Sequence, residues 1–260
     1  MYRSQDLLHQ IDAHTAPILI GFALAMVCQT IGMVDAVRVS RRERVISIPL
    51  FCTFFWFAHD VGTVVRFHDW FSVYDHWFMK LYWVGLLSAM LLEFVFFAQA
   101  VRYGREELLP QVSERAFAAL LLAGVIGTNI AWEYLKAVMS DPLYQASPAL
   151  TLLALPITGA ALMIRRRSAA GQTVVIWASF TALSCFWWAT TVGFYTSFFR
   201  SWEYISAGVF TIAACAAMTV VVARLKPAEE AAAAAARRGT TTATGRAGTS
   251  DATTAVGVPA

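Results

Sequence analysis

Four ionisable residues stand inside stretches too apolar to hold them cheaply. His59 and Asp60 lie in 45–65, Glu93 in 81–101 and Glu133 in 116–137. A carboxylate in such a stretch is costly unless it is paired or protonated, so an intramembrane acid marks a functional site by default. The chemistry that suits it is proton delivery: an acid that keeps its proton in a water-poor site can hand it to an olefin or an epoxide. His59 can reprotonate that acid or take up the final proton. The carbocations formed in between need aromatic faces, each stabilising a desolvated cation by up to about 2 kcal/mol. Trp56, Trp83, Trp132, Trp187 and Trp188 can supply them. Asn129 precedes Glu133 by one helical turn and shares its face, and Lys136 is placed to neutralise Glu133. The expected catalytic set is therefore Asp60, Glu133, His59 and Glu93, with Asp60 and Glu133 lining one pocket. The expected substrate contacts are Trp56, Trp83, Asn129, Trp132, Trp187 and Trp188.

The elements that must position these groups are membrane helices. The 260-residue chain is 58% hydrophobic and only 14% charged, which is not the composition of a soluble domain. A span needs roughly 20 apolar residues, and seven stretches qualify: 17–37, 45–65, 81–101, 116–137, 148–164, 173–197 and 204–224. The expected fold class is an all-α integral membrane protein of seven transmembrane helices. Residues 1–16 form a polar lead without the apolar core of a cleavable signal peptide. Arginine sets the orientation. Arg38, Arg41, Arg42 and Arg44 follow the first span, Arg102, Arg105 and Arg115 the third, Arg165, Arg166 and Arg167 the fifth, and Arg224 and Lys226 the seventh. The other side is poorer in positive charge, which predicts an outside N-terminus and a cytoplasmic C-terminus, in the cell membrane. The net charge of +3 then reflects orientation, and no nucleic-acid partner is expected.

The sequence also repeats itself. Phe55-Trp56-Phe57-Ala58-His59-Asp60-Val61-Gly62 and Phe186-Trp187-Trp188-Ala189-Thr190-Thr191-Val192-Gly193 share five of eight residues at a spacing of 131, and Pro17 and Pro148 keep the same spacing. This predicts two parallel units, 17–101 and 148–224, joined by a linker helix at 116–137. Trp56 and Gly62 belong to the shared frame. His59 and Asp60 do not, because the second copy has threonines there.

The stretch Arg66 to Lys80 mixes two histidines and two aspartates with aromatics. It fits an aromatic belt at the membrane interface, and no metal is assigned to it. The four cysteines fall inside spans without metal spacing and are expected to be packing residues. From about Pro227 the chain turns to Ala, Thr and Gly, and 227–260 is expected to be a disordered tail, with part of 228–238 able to form a short helix.

Two resemblances follow. The 3+1+3 layout, with Gln29, the stretch Arg167 to Trp177 and the loop Arg66 to Lys80, resembles the PQ-loop superfamily, which includes the SWEET transporters. The eponymous Pro-Gln pair is absent; Cys28-Gln29 stands in the first unit, and Pro156 has no glutamine beside it. Trp132-Glu133, Tyr103-Gly104-Arg105-Glu106 and Arg167 to Trp177 resemble seven-span membrane terpene cyclases of the paspaline and pyripyropene type. That family places one acid in the second span, where this chain has Asp60, and one in the seventh, where it has only Glu203 at the edge. The second resemblance implies acid-initiated cyclisation of a lipophilic prenylated molecule drawn from the bilayer, with no cofactor. The first implies proton-coupled transport of a small solute. The acids are concentrated in the first unit and the linker helix, and this asymmetry favours a one-sided chemical site.

Overall fold

The computed structural model describes residues 2–247, and among them every regular element is a helix. A short α1 (Ser4–Ala13) leads directly into α2 (Thr15–Glu43). Then come α3 (Leu50–Val64), α4 (Trp77–Gln99), the short α5 (Arg105–Leu108) and α6 (Glu114–Met139). The chain finishes with α7 (Pro148–Arg166), α8 (Val174–Phe194) and α9 (Trp202–Ala247).

Local chemistry sets the boundaries. Ser113 and Thr173 accept hydrogen bonds from the backbone N–H groups of Ala116 and Ile176 and so cap α6 and α8. Pro148 opens α7, where its missing N–H costs nothing. Arg44 and Arg167 end α2 and α7 in the left-handed conformation.

Among the described residues six helices are long and apolar enough to cross a membrane, α4 counting together with the helical run to Leu108. The second apolar stretch differs from expectation. Residues 45–65 give a helix of only 15 residues, Leu50–Val64, about 22 Å long at 1.5 Å per residue. Ser47 and Ile48 are non-helical before Pro49, and the chain turns at Val65 and Arg66 into a π-helical segment, Asp69–Val73. The C-terminal boundary also differs. α9 runs on through Pro227 to Ala247, so residues up to 247 that composition assigns to a tail are helical, and 248–260 lie outside the described residues.

Packing follows a regular order. α4 lies against both α2 and α3, and α9 lies against both α7 and α8. Across these two groups α2 packs on α8 and α3 on α7, while α6 packs on α3. The α2–α8 contact is the more extensive of the two crossings. Its closeness depends on Gly21: a Cβ there would stand 1.9 Å from Thr190 Oγ1. A small residue on one helix lets the other approach nearly backbone to side chain.

Both ends of the bundle are tied. At the end rich in arginine, Lys226 Nζ reaches Glu43 at 2.7 Å and Gly171 N–H donates to the same carboxylate at 2.6 Å. Arg166 holds Glu107 at 2.6 Å and the Ile46 carbonyl at 2.5 Å, and Thr173 Oγ1 donates to Asp35. At the other end α1 covers the helices, with Leu7 and Ile11 fully buried.

Candidate functional site

A cavity of about 420 Å³ lies among α2, α3, α4, α7 and α8. That volume falls within the range of small-molecule sites. Its aromatic wall is Phe22, Trp56, Phe78, Tyr82, Phe180 and Trp187. His59, Asp60 and Glu93 also line it, and each is at least 95% shielded. Three of the four expected catalytic residues therefore meet in one chamber.

Helix register explains the meeting. The Phe57 and Phe94 rings pack at 5.3 Å, which fixes how the antiparallel α3 and α4 slide against each other. Counting one way from Phe57 and the other from Phe94 places Asp60 opposite Leu91, within about 3 Å of Glu93 along the axis. Glu93 sits midway along the helical run Trp77–Leu108, and its Oε2 is buried without a hydrogen-bond partner.

His59 Nδ1 lies 2.6 Å from Asp60 Oδ1. Its Nε2 faces the Tyr82 hydroxyl at 3.4 Å. Tyr82 spends its own proton on the Tyr144 carbonyl, 3.1 Å away, a group that only accepts. The Tyr82 oxygen is then the acceptor from Nε2–H, and the Nδ1–Oδ1 contact holds one further proton. The pair lies beside the chamber, with the imidazole oriented by Tyr82 on one side and Trp132 on the other (ring centroids 5.4 Å apart).

Glu133 is elsewhere. It does not share the Asp60 chamber but lines a more open groove of about 700 Å³ with Arg66, Asp69, Lys136 and Tyr144. Its carboxylate is held by Arg66, with Nη2–Oε2 at 2.6 Å and Nη1–Oε1 at 3.2 Å. The partner is a residue of the α3–α4 connection rather than Lys136, whose Nζ sits 3.1 Å from the centre of the Tyr144 ring. Asn129 does not share hydrogen bonds with Glu133; its Nδ2 donates to the Val125 carbonyl at 2.8 Å within the helix. Glu133 is 48% exposed, so the pair is of the surface type, worth about 0–1 kcal/mol.

The tryptophans divide as well. Trp56 and Trp187 line the chamber, and their ring N–H groups are engaged by the Thr151 carbonyl at 3.1 Å and the Tyr204 hydroxyl at 3.0 Å. Trp83 donates to Val64 and packs on Phe67 and Phe71. Trp188 donates to the Tyr204 carbonyl and fills the space over Gly208. Trp132 stands behind His59, fully buried, as a wall rather than a lining residue.

Sequence reading missed Asp141. This buried carboxylate accepts from the backbone N–H groups of Gln145, Ala146 and Ser147 at 2.7–3.1 Å, and from the Tyr2 hydroxyl. It folds 141–147 into a plug whose Tyr144 carbonyl holds Tyr82. The signal available was slight: an aspartate one residue ahead of a proline and a few residues before a helix that begins with proline.

Tyr2 and Asp12 pin α1 over that end. Burial, reinforced by the Asp141 charge, raises the Tyr2 phenol well above its ordinary value. A hydrogen bond from Trp77 Nε1 lowers the Asp12 carboxyl, with His76 adding to it. Tyr2 thus contributes its stabilisation below about pH 10 and loses it as pH rises through the raised folded value. Asp12 contributes above about pH 4 and loses it as pH falls through its lowered one. A spin label on Gln5→Cys, with the exposed Cys185 replaced by serine, should stay immobile between these limits and gain mobility beyond them. A mobility change centred near neutral pH would contradict this.

In the 66–80 loop Asp75 is held by Lys80 at 2.5 Å and His76 by Asp12 at 3.1 Å. Among the described residues no group of three or more His, Cys, Asp or Glu is gathered for a metal ion. Comparison with protein-family models, curated proteins and solved structures gives no match to the chain.

Proposed function

We propose that the protein is a multi-pass membrane enzyme that cyclises a lipophilic prenylated substrate, epoxidised substrates included, by proton addition. The observation that carries this reading is the co-location of Glu93, Asp60 and His59 in one aromatic chamber of membrane helices. Glu93, with an unpartnered oxygen in a dry wall, is the proton donor, since the neutral acid tolerates that position and the anion does not. Proton addition to an olefin or epoxide oxygen creates a carbocation. Ring closure consumes the neighbouring π bonds, and Trp56, Phe180 and Trp187 stabilise the moving charge. The proton held between His59 and Asp60 passes to the Glu93 carboxylate, and the proton that the cation loses takes its place in the pair, so every group returns to its starting state. The proton gained equals the proton lost, so the reaction is an isomerisation and calls for no oxidant or cofactor.

The layout is a 3+1+3 repeat with α3 as a seventh, shorter span, α1 outside and the arginine-rich end cytoplasmic. Its support is the matched packing of α4 and α9 within their groups and the 131-residue echo. In this reading Thr190 and Thr191 of the second copy pack against Gly21 and Tyr204, whereas His59 and Asp60 of the first face the chamber.

A second reading, proton-coupled transport, draws on one observation: Trp56 and Trp187, equivalent in the echo, both line the same cavity, as a solute clamp between repeats would. Membranes supplied with a farnesyl arene bearing a terminal epoxide separate the two. Asp60→Asn is expected to reduce cyclised product about 10²–10⁴-fold, while Glu133→Gln, in its own groove, stays close to wild type. Equal loss in both variants would overturn the assignment of the site. Solute uptake into proteoliposomes abolished by Asp60→Asn, without any cyclised product, would favour transport.

A further inference from the structure

We infer that the chamber is reached sideways from the bilayer, through a seam between α2 and α4 that Met26 closes opposite Gly85, and that its ligand is a single linear hydrocarbon chain carried by a lipid-dissolved molecule. This rests on the chamber being a ligand site, as proposed above.

The wall at this seam is made of residues that are also exposed. Ala23 of α2 and Leu81 and Val84 of α4 line the chamber, yet each is also exposed on the outside of the bundle, Leu81 by 53% and Val84 by 51%. The same side chains therefore face both the cavity and the surroundings. Gly85, next along α4, contributes no side chain. A Cβ built there would meet only the Met26 Cε, at 3.7 Å. The barrier at that point is one flexible thioether, a side chain that repacks readily.

What lies outside is set by the helices. α2 and the run Trp77–Leu108 are both of membrane-crossing length and apolarity, and the seam falls within those lengths. The medium at the seam is then hydrocarbon. The two ends of the bundle are covered. One is covered by α1 and the 141–147 plug. At the other, Gln172 links the Ser47 carbonyl at 2.8 Å to the Trp177 ring N–H at 2.9 Å, and Gln99 donates to the Val37 carbonyl at 3.0 Å.

Shape narrows the ligand. The chamber follows α2 from Leu19 to Gln29 and α4 from Phe78 to Glu93, a run of about 15–22 Å at 1.5 Å per residue. A volume of about 420 Å³ spread over that length is a narrow space. It suits one extended or folding chain.

The test uses farnesol carrying a diazirine, dissolved in liposomes that contain the full chain. Illumination at intervals, followed by peptide mass spectrometry, gives the rate and final extent of labelling at α8 residues of the chamber. Gly85→Leu, which fills the seam, is expected to slow labelling about tenfold while the final extent is kept. Met26→Ala, which removes the closing thioether, is expected to accelerate it. Equal rates in wild type, Gly85→Leu and Met26→Ala would overturn the seam while leaving the chamber as a ligand site. No chamber labelling in wild type, with label confined to lipid-facing residues, would overturn the ligand site itself. Should Gly85→Leu fail to fold, the acceleration by Met26→Ala decides alone: its absence overturns the seam.

Discussion

Glu93→Gln is expected to lower cyclisation of an epoxidised farnesyl arene about 10²–10⁴-fold, the usual contribution of a positioned general acid, with little loss of fold. The two effects part because of where the residue sits. Its carboxyl is buried to 1% exposure with an unpartnered oxygen. A neutral amide of the same shape fits there without stranding an ion, so the helices should assemble as before. The amide cannot give up a proton to the substrate. Binding of the diazirine farnesol should persist, because the aromatic wall is untouched. Turnover equal to wild type would remove Glu93 from the chemistry and leave Asp60 as the donor. Loss of both turnover and labelling would mean that Glu93 holds the chamber open instead of acting in it.

Asp141→Ala should produce the largest loss of stability, roughly 4 kcal/mol. Three buried backbone N–H groups lose their acceptor, at about 1–3 kcal/mol each with partial relief by water, and the Tyr2 hydroxyl loses its partner too. The consequence extends to the chamber. The 141–147 plug presents the Tyr144 carbonyl to Tyr82, and Tyr82 orients His59. The variant in detergent should melt at a lower temperature and show raised hydrogen exchange over 141–147. Unchanged melting would show that the plug is held by its side-chain packing alone. Asp141→Asn is the milder companion: it keeps one acceptor oxygen and should fall between the two.

Much of this architecture could be read from the chain because the physical signals are local. Arginines and prolines bracket the apolar runs, and the runs became α2, α4 and α6 to α9. The depth of Glu93 followed from counting along its run. The second apolar run was harder, because hydropathy does not register that Ser47, Ile48 and Pro49 are spent on an extended approach, leaving α3 short. Side-chain partners were out of reach for a different reason. Glu133 has Lys136 three residues away, yet its partner is Arg66, brought across by the packing of α3 on α6. Trp187 and Trp188 are adjacent and look interchangeable, but a rotation of about 100° per residue sends one to the chamber and the other to Gly208. Asp141 lies in a connection, where nothing periodic marks it, and its importance appears only when the backbone donors it serves are counted.

The repeat carries a lesson about where function resides. Its two copies share a frame, Trp56 with Trp187 and Gly62 with Gly193, and differ at the two positions that bear chemistry. In one copy those positions are Thr190 and Thr191, which close the contact with α2 and Tyr204. In the other they are His59 and Asp60, and a chamber is present. In the proposed mechanism a polar pair that closes a helix contact in one copy is thus replaced by the pair that serves the chamber in the other.

The central claim is that a proton from this chamber starts the reaction. It is tested most directly by supplying the epoxidised farnesyl arene to membranes in D2O and weighing the product. A cyclic isomer carrying one solvent deuterium at the site of initiation, formed by wild type and lost in Glu93→Gln, is the expected result. A cyclic product free of deuterium, or one formed equally by Glu93→Gln, would contradict it.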